Sequence, residues 1–271
     1  MTPGLANGLI RGLGATLRGC GRTWLGAWAE AWANRRSFWL QVIIMVVNDV
    51  AWIIFWVLFF RRIGEIRGWD IGQLLVLLAV LTTSAGIVLG LMANTRKIGE
   101  LAAGGGLDAA LALPTPTLPH LLSGRVETSN VGDLLFGIVL FLTFGHPTPQ
   151  RTLVFLFGVA CSVLVITGFL VLVGSSAFFV GRNEGGELGF HALLLFSSYP
   201  VDIFAGMTKI FLYAVVPAGF VSAAPARLVA EFEWRWAAAL LAVGLGLSAV
   251  ATAVFNLGLR RYTSGSIWTD A

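Results

Sequence analysis

Asn48 and Asp49 sit side by side within a run at 38–60 that is otherwise apolar except for Gln41. A carboxylate near the centre of a bilayer is costly and usually functional. Asn48 and Asp49 are therefore candidates to line a polar translocation path. The competing reading is a polar helix–helix contact in which the acid is shielded. Asp49 is the only acid the sequence places well inside an apolar run, and no second Asp or His stands beside it. Catalysis within a membrane needs a converging set of such groups, so no catalytic residue is assigned and the chain is not expected to be an enzyme.

A second kind of chemistry lies at 94–119, between two apolar segments. Its charges, among them Arg96, Lys97, Glu100 and Asp108, must reach water. Ile98-Gly99-Glu100-Leu101 and Leu107-Asp108-Ala109-Ala110-Leu111 read as short amphipathic turns, separated by Gly104-Gly105-Gly106. Pro114, Pro116 and Pro119 then stop the helix, since each fixes its own φ and lacks an amide donor. The expectation is a small helical knuckle at the membrane surface, suited to docking a soluble partner. Its candidate contact residues are Arg96, Lys97, Ile98, Glu100, Leu101, Leu107, Asp108 and Leu111.

Several other chemistries are excluded. The two lysines, Lys97 and Lys209, follow Arg and Thr, so no Gly-Lys pair exists to close a phosphate-binding loop. Any energy from ATP must come through a partner. Cys20 and Cys161 form no CxxC pair. His120, His146 and His191 are far apart, so neither metal nor other cofactor is expected. The net charge of +4 includes no basic stripe with interleaved aromatics of the kind nucleic acid requires.

The elements that must position these residues are membrane helices. Hydrophobic residues make up 57% of the 271 and charged residues 12%, against roughly 25% charged in soluble domains. That length holds about six spans of some 20 residues with short loops. Apolar runs lie at 38–60, 71–93, 131–145, 153–180 and 236–259. The run at 131–145 is shorter and begins beside Asp133, which places its inner end at the interface. Pro200, Asp202, Lys209, Pro217 and Pro225 interrupt the region 188–229, and two layouts fit. Either 188–204 spans and the rest re-enters from outside, or 210–229 spans and the earlier part lies on the inner surface. With the N-terminus inside, the first layout puts 11 of the 18 Lys and Arg on the inner side, which favours both termini cytoplasmic. Ahead of the spans, Trp24, Trp28 and Trp32 recur every four positions and share one helical face. This predicts an amphipathic segment over 1–37 lying in the interface, the alternative being ordinary packing on the bundle. The domains expected are this segment, a transmembrane unit at 38–259 with the loop 94–119, and a cytoplasmic tail at 260–271.

The order of short landmarks carries a resemblance. They are Gly68-Trp69-Asp70; residues 98–114 with Gly106-Leu107-Asp108 and Leu113-Pro114; Gly132-Asp133-Leu134-Leu135-Phe136-Gly137; Gly174-Ser175-Ser176-Ala177-Phe178-Phe179; Tyr199-Pro200-Val201-Asp202-Ile203-Phe204; and Val216-Pro217-Ala218-Gly219-Phe220. Over roughly 68–225 the chain resembles the membrane-spanning permease subunits of ABC-2 type transporters, in the bacterial group of short six-span permeases of unknown substrate. The resemblance implies an all-α membrane protein with about six transmembrane helices, of the type V exporter-like kind. It implies export across the bacterial inner membrane, a dimer of separate ATP-binding cassette ATPase subunits, and a second permease, similar but distinct. It also implies that the loop after the second span, 96–114, is the coupling helix that enters the ATPase. The alternative is a secondary transporter or channel acting without ATP, which would usually show polar or charged residues mid-membrane in several spans; the sequence offers them in one.

Overall fold

The computed structural model describes residues 19–113, 116–181 and 185–262. Residues 1–18 of the N-terminal segment, Pro114, Arg182, Glu184 and residues 263–271 of the tail lie outside the described residues. Among the described residues the secondary structure is helical apart from a single bridge between Ile66 and Trp69.

Helix α1 covers 19–33. Its Trp28 and Trp32 meet Phe38 of the next helix at ring-centroid distances of 6.3 and 5.0 Å, and Trp32 also meets Trp39. α2 is Arg35–Ile63, capped by the Asn34 side chain accepting from Ser37 N–H. α3 is Ile71–Ala85, opened by a capping box between Asp70 and Gln73, and continues through a π-helical turn at Gly86–Leu91. The short helices α4 (Asn94–Ala103), α5 (Asp108–Leu111) and α6 (Thr117–Leu122) follow. α7 is Thr128–Phe144 and α8 is Pro149–Ser175, the latter started by a Thr148 cap and a proline in its first turn. Next come α9 (Ala177–Val180), α10 (Gly185–Ser197), a 3₁₀ turn at Val201–Ile203, α11 (Met207–Ala214), a π turn at Gly219–Ala223, α12 (Ala224–Ala230) and α13 (Trp234–Leu259).

Among the described residues, four stretches are long and apolar enough to cross a bilayer: Arg35–Ile63, Ile71–Leu91, Pro149–Val180 and Trp234–Leu259. α7 is apolar but shorter. Within Pro149–Val180, α9 continues α8 through Ser176, whose φ of −58° and ψ of −28° keep the helical course. In the region 188–229 the chain is broken into short helices. α10 ends at Ser197, and α11 and Gly219–Ala230 then form a broken pair bent by 71°. The bend falls at Val216-Pro217-Ala218, where Pro217 cannot donate a helical hydrogen bond. Lys209 near the start of the pair and Arg227 near its end both reach the same residue, Asp202. Both ends of the pair therefore lie at the same end of the bundle, around Asp202.

α3 is the central helix: 83% of its apolar window is buried, against 17% for α2 and 22% for α13. α7 runs antiparallel to α3, and small residues let the backbones touch. A Cβ on Gly86 would lie 2.7 Å from Leu134 Cα, and one on Gly137 2.6 Å from Thr83 N. α8 and α13 pack in the same way through Gly168 and Gly244, with Ser248 donating to Leu164 O at 3.2 Å. Such close approach gives membrane helices dispersion contact that the hydrophobic effect cannot supply between them.

Candidate functional site

At one end of the bundle the segment from α4 to α6 is an excursion closed at its base. Ala93 N–H donates to Arg125 O at 3.1 Å, Glu127 N–H to Gly90 O at 2.8 Å, and the Asn94 amide to Leu121 O at 2.8 Å. Ile98 and Leu107 are fully buried, in a cluster with Leu118, Leu121, Val171, Ala251 and Phe255. Gly174 makes this docking possible, because a Cβ there would stand 3.0 Å from Ile98 Cβ. The Tyr262 hydroxyl accepts from Leu107 N–H at 3.3 Å and donates to Asp108 at 3.0 Å. Burial and the hydrogen bond to Asp108 both raise the Tyr262 phenol above its ordinary value. Gly104-Gly105-Gly106 forms a bonded turn: Gly104 N–H donates to Glu100 O and Gly106 N–H to Leu101 O, with Gly105 at φ +76°.

The knuckle residues thus divide by direction. Arg96, Glu100, Asp108 and Leu111 are exposed, and Lys97 and Leu101 are half-buried. Ile98 and Leu107 point inward, so they hold the knuckle down and do not present themselves to a partner. Arg96 also stands over the Phe190 ring at 5.0 Å and 3.9 Å from Glu187, which itself meets His191 at 3.1 Å.

Midway along the bundle, Asp49 of α2 and Asp133 of α7 come together. They are 7% and 6% exposed and line a cavity of about 180 Å³ with Asn48, Trp52, Thr82 and Phe136. The expectation that no acid accompanies Asp49 is corrected here. α7 begins at Thr128, whose hydroxyl donates to Gln41 of α2, so Asp133 lies beyond the first turn of its helix. The missed signal was Gly132 on one side of Asp133 and Gly137 four residues on. The two glycines face different helices, with Gly137 lying against Thr82 and Thr83 of α3. Gly132 lies against Val42 and Met45 of α2, where an added Cβ would be 3.1 Å from Met45 Cβ.

At the far end a clamp forms that sequence reasoning did not assemble. Two of the landmarks, Gly68-Trp69-Asp70 and Tyr199-Pro200-Val201-Asp202, meet in space. Trp69 Nε1 donates to Asp202 at 3.0 Å, Lys209 Nζ lies 2.7 Å from one oxygen of Asp202, and Arg227 lies 2.7 Å from the other while covering the Trp69 ring at 5.3 Å. The clamp borders a cavity of about 500 Å³ that includes Tyr213 and Trp236. A usable signal existed. Three charges, Asp202, Lys209 and Arg227, fall in a largely apolar stretch, where each needs an opposite partner.

Burial alone would raise the Asp202 carboxyl. Hydrogen bonds from Lys209 and Trp69, with the charges of Arg227 and Lys209, outweigh it and hold the group below its ordinary 3.8. A depressed folded-state value adds stability that is present above 3.8 and is lost as pH falls through the folded-state value. The thermal unfolding midpoint should therefore drop on acidification through that window. Asp202→Asn should start lower and drop less; an equal drop in both proteins would detach the clamp from the acid response.

The outcome is a membrane bundle with an anchored knuckle at one end, a buried acid pair at its middle and a charged clamp at the other end. No curated protein and no solved structure matches the chain. The family model described as ABC-2 family transporter protein matches residues 46–266, which spans all three features. The chain belongs to the ABC-2 family of transporter proteins, as a multi-pass membrane subunit of a transporter.

Proposed function

We propose that the chain is one membrane half of an ATP-driven exporter. In this reading α4 and α5 dock into a separate ATP-binding cassette ATPase dimer. A second, similar but distinct permease completes the path, with Asn48 and Asp49 lining it on this side. The protein resides in a bacterial plasma membrane with both termini cytoplasmic, the knuckle on the cytoplasmic side and the Asp202 clamp outside. Residues 1–37 lie along the inner interface, 38–259 form the transmembrane unit, and 260–271 are a tail whose Tyr262 braces the knuckle.

The observation that carries this reading is the construction of the knuckle. A short element transmits force only if it is held at both ends, and α4–α5 is held by Ile98 and Leu107 beneath it and by the backbone bonds at its base. Its outer face keeps Arg96, Glu100, Asp108 and Leu111 accessible. A basic and two acidic side chains around a leucine form a face suited to a soluble groove.

Glu100→Arg combined with Leu111→Asp tests it. The tagged chain is purified from its native membrane in mild detergent, its companions are identified, and ATPase activity is measured in the complex. The wild type should bring down an ATPase and a second permease. The double variant should insert normally and lose ATPase retention or transport-linked hydrolysis by at least ~10-fold, about 1.4 kcal/mol of coupling. A wild-type chain that purifies without an ATPase, or a double variant with unaltered coupling, would overturn the reading.

A further inference from the structure

We propose that Asp49 and Asp133 together bind a positively charged amine headgroup, which makes apolar organic cations the substrate class of the path. The inference rests on the exporter reading above and names its cargo.

Four observations on the cavity converge. Its two carboxyls come from different helices and are each more than nine-tenths buried. Apart from the other carboxyl of the pair, Asp49 Oδ2 and Asp133 Oδ1 have no hydrogen-bond partner among the described residues. The lining contains no Lys, Arg or His. Among the described residues, the Lys and Arg ion pairs lie elsewhere, as Arg96–Glu187, Arg125–Glu127, Lys209–Asp202 and Arg227–Asp202. Two buried carboxyls with only each other for company are costly to ionise unless a cation meets them, and otherwise share a proton.

The rest of the lining suits the body of such a ligand. Trp52 and Phe136 present aromatic rings, whose faces attract cations, and Met45 and Ile53 add apolar wall. Asn48 and Thr82 supply polar atoms beside the acids. The cavity, at about 180 Å³, takes a compact ammonium group with one ring. It lies against α2, the least buried of the long helices, so a ligand can approach from that flank. An anion would meet two carboxyls, and an uncharged molecule of the same shape would gain nothing from them.

The full chain in lipid nanodiscs, without any ATPase, provides the test. Labelled benzyltrimethylammonium is bound, then displaced by the same cation unlabelled or by neopentylbenzene, which has the same shape and no charge. Empty nanodiscs supply the background. The wild type should bind the cation saturably, with the neutral analogue at least ~10-fold weaker as competitor. Asp49→Asn and Asp133→Asn should each weaken the cation at least ~10-fold, and neither should alter the thermal unfolding midpoint enough to unfold the chain at the assay temperature. No saturable binding to the wild type, equal competition by the neutral analogue, or wild-type affinity in both Asn variants would overturn the proposal. The last result would leave the two acids as a helix-packing pair that shares a proton. If a variant does not fold, the comparison of cation and neutral analogue on the wild type still decides. Because no ATPase is present, failure of this site and failure of the exporter reading give separate results.

Discussion

Leu107→Asp should destabilise the knuckle end of the protein by about 4 kcal/mol, summing the loss of a buried leucine and the burial of an unpaired carboxylate. Leu107 is fully buried against the cluster around Ile98 and Phe255, and its own N–H is held by Tyr262. Water cannot reach an aspartate there without lifting α5 off α8 and α13. The variant should show a lowered thermal unfolding midpoint and rapid proteolysis within 94–113, whereas the wild type resists. Leu111→Asp, four residues on and exposed, is the matched control and should stay within about 0.5 kcal/mol of the wild type, as surface changes usually do. The pair separates two roles that a sequence assigns to both leucines alike. If Leu107→Asp and Leu111→Asp unfolded alike, the anchoring described here would be wrong, and Leu107 would belong to the contact face after all.

Gly86→Leu should be the most damaging change within the membrane helices. Even the Cβ of a substituent would stand 2.7 Å from Leu134 Cα, so backbone must move. Overpacking of this kind costs about 1–3 kcal/mol, and the contact joins α7 to the central helix α3. Because α3 supplies Leu78, Leu81, Thr82 and Ala85 to the wall of the cavity that holds Asp49 and Asp133, separating the helices also disrupts that cavity. Cation binding should therefore fall together with stability. Gly246→Leu is the control, since nothing stands within 4 Å of the added Cβ, and it should leave both quantities near wild type. A Gly86→Leu protein with the wild-type unfolding midpoint would mean that α3 and α7 do not pack as closely as described.

The long apolar runs, the short helices after the second of them and the breaks at proline were legible in the sequence. Each is a local property: hydropathy sets which segments leave water, and Pro217 cannot donate wherever it lies. The family landmarks were legible for the same reason, as short strings in a fixed order. The direction in which Ile98 and Leu107 point was not, because it depends on how α4 and α5 rotate onto α8, and one residue of helical phase turns a side chain by about 100°. Nor was the partner of Asp49. Asp133 begins an apolar run, and only the start of α7 at Thr128 and the close approach allowed by Gly132 and Gly137 carry it beneath the surface. Trp69 and Asp202 are 133 residues apart, and each looks like a loop residue until the bend at Pro217 returns Arg227 to the same place.

By itself, then, the sequence determined the membrane, the helical class, the knuckle and the absence of a phosphate-binding loop, because those follow from composition and nearest neighbours along the chain. The tertiary structure alone decided which charges share a site and which leucines are anchors. Pairing across helices is set by rotation, depth and backbone approach, none of which is a property of any single segment.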